Sequence, residues 1–158
     1  MSHSQARPCC PPFDPAPWNE KEFNWTGKLF VKERVHSFLH VPLDFGSAMA
    51  RAARKIDAAR AAVSPPFYLS DENSLWGADL YVAAARPVPG AAMSSFSGTF
   101  LAKAYEGPYR NIRHWIADMD VFAKNRGKSI RKLYFFYAAC PKCAKKYGKN
   151  PVVLFAQV

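Results

Sequence analysis

One carboxylate, Glu106, stands where acid–base chemistry could take place, between Tyr105 and Gly107 at the end of an apolar segment. Aromatic neighbours and a tight turn at Gly107 and Pro108 should keep water away from this carboxyl, and such shielding raises a carboxyl pKa. A group of this kind can give or take a proton near neutral pH. The structural alternative is a surface carboxylate near the start of a helix, where the helix dipole favours an anion. We expect Glu106 to be the acid or base of a reaction.

Aromatic side chains are the second group with functional potential. For any one of them core packing is the more common role, but as a set they exceed what two short helices need, so some should face a cavity. Tyr137 is the candidate catalytic hydroxyl, and it would orient a developing oxyanion. Strand alternation places Asp79 on the face of Tyr81, which makes Asp79 a ligand-binding candidate and a second acid. The aromatic candidates for ligand binding are Trp76, Tyr81, Tyr109, Trp115 and Tyr134.

The cysteines form two close pairs, of which Cys140 and Cys143 have the spacing of a metal or redox motif. A structural zinc site needs four ligands, and Cys9 and Cys10 could supply two more only if the N-terminus folds back. A redox pair normally follows a thioredoxin-like strand and helix, which are missing here. We favour a turn with reduced thiols and expect no metal or other cofactor, while the metal and redox interpretations stay open.

Composition limits the class of protein and its partners. The apolar fraction of 49% and aromatic fraction of 15% suffice for one core without disulfides. The net charge of +10 would attract acidic partners, but nucleic acid is not expected because no DNA- or RNA-binding motif occurs. No signal peptide or span of ~20 apolar residues is evident, so we expect a cytoplasmic protein that does not contact a membrane. The expected partner is a hydrophobic or aromatic small molecule, and a homodimer is allowed.

Apolar spacing predicts the elements that must position these residues. Residues 1–22 hold five of the thirteen prolines and are predicted to form a flexible arm in front of a domain at 23–158. Asp44 is a good N-cap for a helix with an apolar stripe from Phe45 to Val63. A second helix carries its stripe from Ile112 to Ala123. The predicted strands are 29–36, 67–69, 75–86, 100–102, 133–139 and 151–158, with a turn at 71–74.

The two halves of the chain repeat the same pattern. The segment from Gly27 to Lys32 matches that from Gly98 to Lys103 at a constant offset of 71, and each is followed by a helix and two strands. The sequence therefore predicts an α+β domain of duplicated βαββ units, residues 25–96 and 97–158. Pseudo-twofold symmetry would arrange antiparallel sheets and the two helices around a central groove.

The segment from Ser97 to Tyr109 resembles the second-half strand of the GyrI-like family. In that family a strand of the Gly-x-aromatic type runs into a Gly-Pro-Tyr turn, here Gly107, Pro108 and Tyr109, and an amphipathic helix follows, here with Trp115. The resemblance spans about 25–158 and implies two βαββ units. Members include small-molecule-binding modules of drug-responsive regulators, a gyrase inhibitor, and hydrolases that open the cyclopropane ring of DNA-alkylating natural products.

The chain departs from the family pattern in the strand after the second helix. The family often has Glu-x-Tyr there, whereas Lys132 precedes Tyr134 and Phe135 precedes Tyr137 in this chain. A pocket for cationic drugs is therefore disfavoured. The hypotheses are, in order, a stand-alone hydrolase that detoxifies strained electrophiles such as cyclopropanoid genotoxins, a non-catalytic protein that binds or sequesters such molecules, and a basic protein acting on nucleic acid or gyrase.

Overall fold

The computed structural model describes residues 13–38, 41–74, 76–138 and 150–158. No helix in these ranges is long and apolar enough to cross a membrane. A single 3-10 turn at Tyr109–Asn111 precedes the second helix. The elements follow in the order β1 (Lys21–Phe38), β2 (Val41–Pro42), α1 (Phe45–Ala58), β3 (Tyr68–Ser74), β4 (Gly77–Ala83), β5 (Met93–Glu106), α2 (Ile112–Asn125), β6 (Lys132–Tyr137) and β7 (Pro151–Gln157).

Six antiparallel strands close into a barrel. Their order is β1, β4, β3, β6, β7 and β5, and β5 pairs back onto β1. The closing strands are the longest, at 18 residues for β1 and 14 for β5. The register of β1 shifts between Trp25 and Lys28, and Gly27 within this bulge has a φ of 61°, a conformation that glycine adopts at no steric cost. The bulge bends β1 so that it can pair with both β5 and β4.

Aromatic rings fill the interior of the barrel. Alternation along β1 and β5 turns Phe23 and Phe100 inward as a cross-strand pair. The Trp25 and Phe100 ring centroids lie 4.5 Å apart, and Phe67 stacks on Phe155 at 5.8 Å. Aromatic pairs at such distances stabilise a core beyond their buried area. The interior is therefore a closely packed aromatic cluster in its middle layers.

The two helices pack on the outside of this barrel. The buried stripe of α1 lies over the outer face of β1, where Ala52 and Ile56 pack in one cluster with Val31. The stripe of α2 packs Trp115 and Met119 in one cluster with Leu154 and its outward neighbours on β7. The predicted separate sheets around a groove are thus one closed barrel with a helix on each of two outer faces.

The predicted element order is confirmed, while several boundaries are wrong. Apart from the two-residue β2 between β1 and α1, the order strand, helix, strand, strand occurs twice, as β1-α1-β3-β4 and β5-α2-β6-β7; superposition of the two halves stays a prediction. Helix α1 ends at Ala58 rather than near Val63, because Arg60 adopts a φ of 51° and turns the chain. Residues 71–74, predicted to be a turn, continue β3. Trp76 lies in a turn directly before β4.

Asp44 precedes α1 as predicted but does not cap it with its side chain. Its carboxylate accepts hydrogen bonds from the backbone N–H of His36 at 2.6 Å and from the His36 ring Nδ1 at 2.7 Å. The hydrogen bond from the His36 ring is the main cause that lowers the pKa of Asp44 below its ordinary 3.8. This contact ties the start of α1 to the end of β1.

The described part of the N-terminal segment covers one end of the barrel. Trp18 is only 5% exposed and contacts the rings of Phe67, Phe136 and Phe155. The Trp18 backbone N–H donates to Pro15 O at 2.9 Å, which holds a tight turn in this proline-rich stretch. Strand β1 then begins at Lys21, two residues before the predicted domain start.

Replacing Trp18 by alanine should destabilise the fold strongly. Truncation of a buried Trp typically costs about 3–5 kcal/mol, which corresponds to a fall in Tm of roughly 10 °C for a chain of this length. Trp76→Ala is the matched control, since Trp76 is 60% exposed, and it should change the Tm by no more than about 2 °C. Thermal unfolding followed by circular dichroism measures both. Equal Tm values for the two variants would show that Trp18 does not close the core.

Helix α2 is anchored to β5 by a polar contact at its middle. The Tyr105 hydroxyl donates to Asp118 at 2.6 Å, and Lys103 Nζ lies 2.7 Å from the same carboxylate oxygen. The Lys103 and Tyr105 hydrogen bonds, in that order, lower the pKa of Asp118 below its ordinary 3.8. The folded state therefore favours the ionised carboxylate, and the stabilisation is present above pH 3.8 and lost as the pH falls through the lowered pKa.

Asp118→Asn should lower the Tm by about 2–4 °C at pH 7, because solvent around the 46% exposed carboxylate screens its charged hydrogen bonds to about 1 kcal/mol. The penalty should shrink below pH ~3.8, where Asp118 of the parent also loses its charge. Asp120→Asn is the control, because the ion pair of Asp120 seen among the described residues is with Lys124, one turn away on the same helix. Melting curves from pH 3 to 7 test this, and a penalty independent of pH would contradict it.

Candidate functional site at the barrel mouth

The inward positions become polar at one end of the barrel. Phe67 and Phe136, whose rings contact Trp18, mark one end of the β3–β6 pair. Asp71 and Lys132 lie at the other end of these two strands. We call this second end the barrel mouth. Its charged residues come from four strands, and three aromatic rings form its floor. The charged residues are Lys32, Arg34, Asp71, Asp79 and Lys132, and the floor consists of Tyr81, Phe96 and Tyr134.

Two carboxylates face each other across neighbouring strands of the mouth. Asp71 on β3 is the direct cross-strand partner of Asp79 on β4. Like charges in such positions repel, and each is compensated by a cation from the next strand. Arg34 lies 3.2 Å from Asp79, and Lys132 lies 2.6 Å from Asp71. Both carboxylate side chains are largely buried, at 17% and 10% exposed, so these charges act in a medium less polar than water.

Gly77 makes room for the arginine of this pair. A Cβ atom at Gly77 would lie 2.6 Å from an Arg34 guanidinium nitrogen and 2.6 Å from the Val35 carbonyl oxygen. Any other residue would have to displace the backbone or Arg34. Glycine at this position therefore lets the guanidinium lie along β4 and reach Asp79.

Two tyrosine hydroxyls at the mouth have no hydrogen-bond partner among the described residues. The rings of Tyr81 and Tyr134 lie edge to face at 6.5 Å, and Phe96 contacts them at 5.0 Å and 5.6 Å. Burial, with the charge of Asp71, raises the pKa of Tyr134 to about 12. Burial first, and then the charges of Asp79 and Asp71, raise the pKa of Tyr81. Both phenols are therefore neutral hydrogen-bond donors near pH 7.

Cations lie against both tyrosine rings. Lys32 Nζ is 5.8 Å from the Tyr81 ring centroid, and Lys132 Nζ is 5.6 Å from that of Tyr134. The cation–π contact holds the Lys32 ammonium near the mouth, whereas the Lys132 ammonium is also paired with Asp71. The mouth thus combines apolar rings, neutral hydroxyl donors, two carboxylates and three cations.

A second polar cluster lies beside β6, near the Gly-Pro-Tyr turn. The Tyr137 hydroxyl donates to Glu72, and the Tyr109 ring meets the Tyr137 ring edge to face at 5.6 Å. Burial, followed by the Glu72 charge, raises the pKa of Tyr137. Burial also raises the pKa of Tyr109, against the lowering effect of a hydrogen bond with Asn150. Tyr137 and Tyr109 therefore share a cluster through their rings, and Glu72 is its carboxylate, bound to the Tyr137 hydroxyl.

Glu106 lies at the end of β5, opposite Pro151 of β7, and its side chain is exposed. The predicted shielding from water is therefore not found, because the strand ends at the surface and no described element covers the carboxylate. Its catalytic role, and that of Tyr137, stay predictions.

The remaining predicted residues are distributed around the molecule. Trp115 is buried on α2 and stacks on Tyr105 at 5.7 Å, which packs the helix against β5, and its part in ligand binding stays a prediction. Trp76 lies in the turn before β4 and is exposed. Cys140 and Cys143 fall outside the described residues. Of the predicted residues that the structure describes, Asp79, Tyr81 and Tyr134 meet at the mouth.

Sequence reasoning missed six residues that complete the two clusters, namely Lys32, Arg34, Asp71, Glu72, Phe96 and Lys132. Asp71 and Glu72 were assigned to a turn, and Lys132 was noted only as a departure from Glu-x-Tyr. Arg34 gave no signal beyond its place in a predicted strand. Strand alternation places Lys32 and Arg34 on one face of β1 and Glu33 on the other, and these two cations on one face could have indicated a polar stripe.

The sequence matches the model of the family described as bacterial hydrolase over residues 1–158. The chain belongs to this bacterial hydrolase family. No curated protein matches it significantly. Two solved structures from Listeria innocua are similar in fold to this family member. One is described as a hydrolase (14% identity, 88% of this chain and 91% of the other covered, TM-score 0.59).

The other Listeria innocua structure is described as an uncharacterized conserved protein, with 13% identity, 87% of this chain and 91% of the other covered, and a TM-score of 0.60. At such identities the similarity establishes the shared α+β fold alone. The hydrolase description of the family and the geometry of the mouth are therefore separate observations. A reaction can be assigned to the mouth only from the residues of this chain.

The raised pKa of Tyr134 predicts a loss of stability in alkali. The unfolded chain ionises Tyr134 near pH 10 but the folded chain only near pH 12, so stability present below pH 10 falls as the pH rises through this window. In Tyr134→Phe the free energy of unfolding should fall less steeply with rising pH. At pH 8 it should stay within about 1 kcal/mol of the parent value. Urea unfolding at pH 8 to 11.5 measures both slopes. Identical slopes would contradict the buried, neutral phenol.

Proposed function

We propose that this protein hydrolyses a small, mainly apolar organic molecule bound at the barrel mouth. The observation that carries the proposal is the pair of neutral hydroxyls, Tyr81 and Tyr134, without partners among the described residues and next to Asp71 and Asp79. Neither hydroxyl is among the fully buried polar atoms that lack a partner, so both reach solvent at the mouth and can donate to a bound molecule there. The hydrolase class of the family supports turnover rather than binding alone.

Asp79 is the residue best placed to activate water. Its carboxylate shares a strand face with Tyr81 and is more exposed than that of Asp71. Its ion pair with Arg34 is also the longer one, at 3.2 Å against 2.6 Å for Asp71 and Lys132. Asp71, held closely by Lys132, would instead keep the electrostatic balance of the mouth. In this arrangement Asp79 accepts a proton from water as the water oxygen attacks the substrate.

Tyr81 and Tyr134 would stabilise the charge that develops on the substrate. In opening a strained ring conjugated to a carbonyl, the water oxygen bonds to a ring carbon and a ring carbon–carbon bond breaks. The electron pair moves through the conjugated system to the carbonyl oxygen, where a tyrosine O–H donates a hydrogen bond and then a proton. The proton held by Asp79 restores the phenol. Water is the co-reactant and no redox step occurs.

Strained electrophiles of the cyclopropanoid type are the proposed substrates, and detoxification in the cytoplasm is the corresponding role. The aromatic floor suits a flat, apolar molecule. The GyrI-like resemblance, which includes hydrolases of this reaction type, belongs to the same proposal. Lys132 occupies one of the positions where that family often has a glutamate, which argues against an organic cation as the substrate.

Non-catalytic binding is the second candidate function. The observation in its favour is that both mouth carboxylates already hold a cation, Asp71 with Lys132 and Asp79 with Arg34. An ion-paired carboxylate is a weaker base than a free one. A protein that only sequesters its ligand would raise its Tm with that ligand and form no product.

The test is turnover of an aromatic compound that carries a cyclopropane ring conjugated to a carbonyl, followed by chromatography of the ring-opened product. Asp79→Asn should reduce kcat by about 10²–10⁴-fold, the usual contribution of a general base. The double variant Tyr81→Phe with Tyr134→Phe should lose about 10²-fold, as expected for removing oxyanion donors. Asp120→Asn makes the same chemical change outside the mouth and should retain the parent rate.

Glu106→Gln distinguishes the mouth from the carboxylate favoured by sequence alone. Parent-like turnover by Glu106→Gln, with loss in Asp79→Asn, supports the mouth. The reverse pattern overturns Asp79 as the base and assigns the chemistry to Glu106. Binding of the compound to parent and variants with no product from any of them supports the sequestering function instead.

A further inference from the structure

The charges of the mouth do not balance. Three cations, Lys32, Arg34 and Lys132, face two carboxylates, Asp71 and Asp79, and each carboxylate already has one cation at ion-pair distance. Lys32 has no carboxylate partner among the described residues. The site described above therefore holds one ammonium group in excess of its internal ion pairs.

Neighbouring acidic side chains cannot supply that partner. Glu33, next to Lys32 in sequence, points to the opposite face of β1, where it pairs with Arg51 at 3.4 Å and Lys55 at 3.1 Å of helix α1. Alternation along the strand keeps this carboxylate on the outside of the barrel. The excess charge at the mouth is thus a consequence of the strand register.

Lys32 is held in place rather than free in solvent. It is half-buried, lies opposite Tyr81 in the β1–β4 register, and its ammonium rests 5.8 Å from the Tyr81 ring centroid. A lysine ammonium has three hydrogen-bond donors and no acceptor. The π-face of one ring can satisfy only part of this hydrogen-bonding capacity. An anion at the mouth would complete it.

We infer that the mouth selects molecules that combine an apolar ring system with a carboxylate, and that Lys32 is the residue that recognises the carboxylate. This inference rests on the mouth being the binding site under the proposed function. The ring would lie on the floor of Tyr81, Phe96 and Tyr134, and its carboxylate would meet Lys32. An organic cation of the same shape would face the excess positive charge and bind less well.

The positive charge of the whole chain is a separate effect that the test must remove. A net charge of +10 attracts any anion over long distances, and salt screens that attraction. A local contact with Lys32 is distinguished from it by a variant that loses one positive charge elsewhere. Lys124 serves this purpose because it lies on α2, outside the mouth, where it pairs with Asp120 at 2.7 Å.

The experiment uses three probes with one ring system: 2-naphthoate, its methyl ester and 2-naphthylmethylammonium. Calorimetric titration of the full chain at constant ionic strength should rank them anion, ester, cation, with the anion about 10-fold tighter than the ester, the factor that one 1.4 kcal/mol contact produces. Lys32→Met should remove this 10-fold advantage and leave the ester within about 2-fold. Lys124→Met should behave as the parent, and Lys32→Arg should retain the preference.

Phe96→Ala separates failure of the inference from failure of the proposed site. If it weakens all three probes while Lys32→Met leaves the ranking unchanged, the mouth binds ligands but Lys32 does not select the anion, and the inference is overturned. If Phe96→Ala leaves every probe unchanged, the probes bind elsewhere and both proposals fail. Equal losses in Lys32→Met and Lys124→Met also overturn the inference, because total charge then explains the preference. Failure of all three probes to bind the parent would overturn both.

Discussion

Pairing of β5 back onto β1 is the constraint on which the rest of the structure depends. These two strands are the longest and share the most extensive ladder, running from Lys21 to Val31. Without this closure the rings of Trp25, Phe30 and Phe100 would face water. Closure joins six amphipathic strands into one barrel with an apolar interior. It also leaves no unpaired edge strand in the barrel through which chains could aggregate. Helices α1 and α2 then cover outer faces of the barrel.

On the opposite side of the barrel lies the seam between β3 and β6, where the two strands have little backbone pairing. Side chains connect the two strands there. Only Ser70 and Phe135 pair in register there, and the Tyr68 hydroxyl bridges the backbone N–H and carbonyl of Tyr137 at 3.1 Å and 2.9 Å. The ion pair of Asp71 with Lys132 spans the same seam. Part of the mouth's charge therefore also connects the two strands, with the Asp71 carboxylate largely buried and the Lys132 side chain 45% exposed.

Much of the fold could be predicted because periodicity reports burial directly. The stripes of α1 and α2 and the repeated order of strand, helix and two strands follow from apolar spacing alone. The turn at 71–74 was predicted wrongly because four polar residues normally mark a loop. They form strand here because one face of that strand looks into a polar mouth. The same error hid Asp71, since a carboxylate assigned to a loop has no predicted neighbours.

The sequence by itself determined the class of fold, its helices, and the pairing of Asp79 with Tyr81 on one strand face, because these depend on local spacing along the chain. Only the tertiary structure decided which of the aromatic residues meet. Tyr81, Phe96 and Tyr134 come from three strands that converge through closure and register, and Lys32 is left without a carboxylate because Glu33 faces outward. Distances between strands and the exposure of Glu106 depend on how the sheet closes, which no pattern within a single strand records.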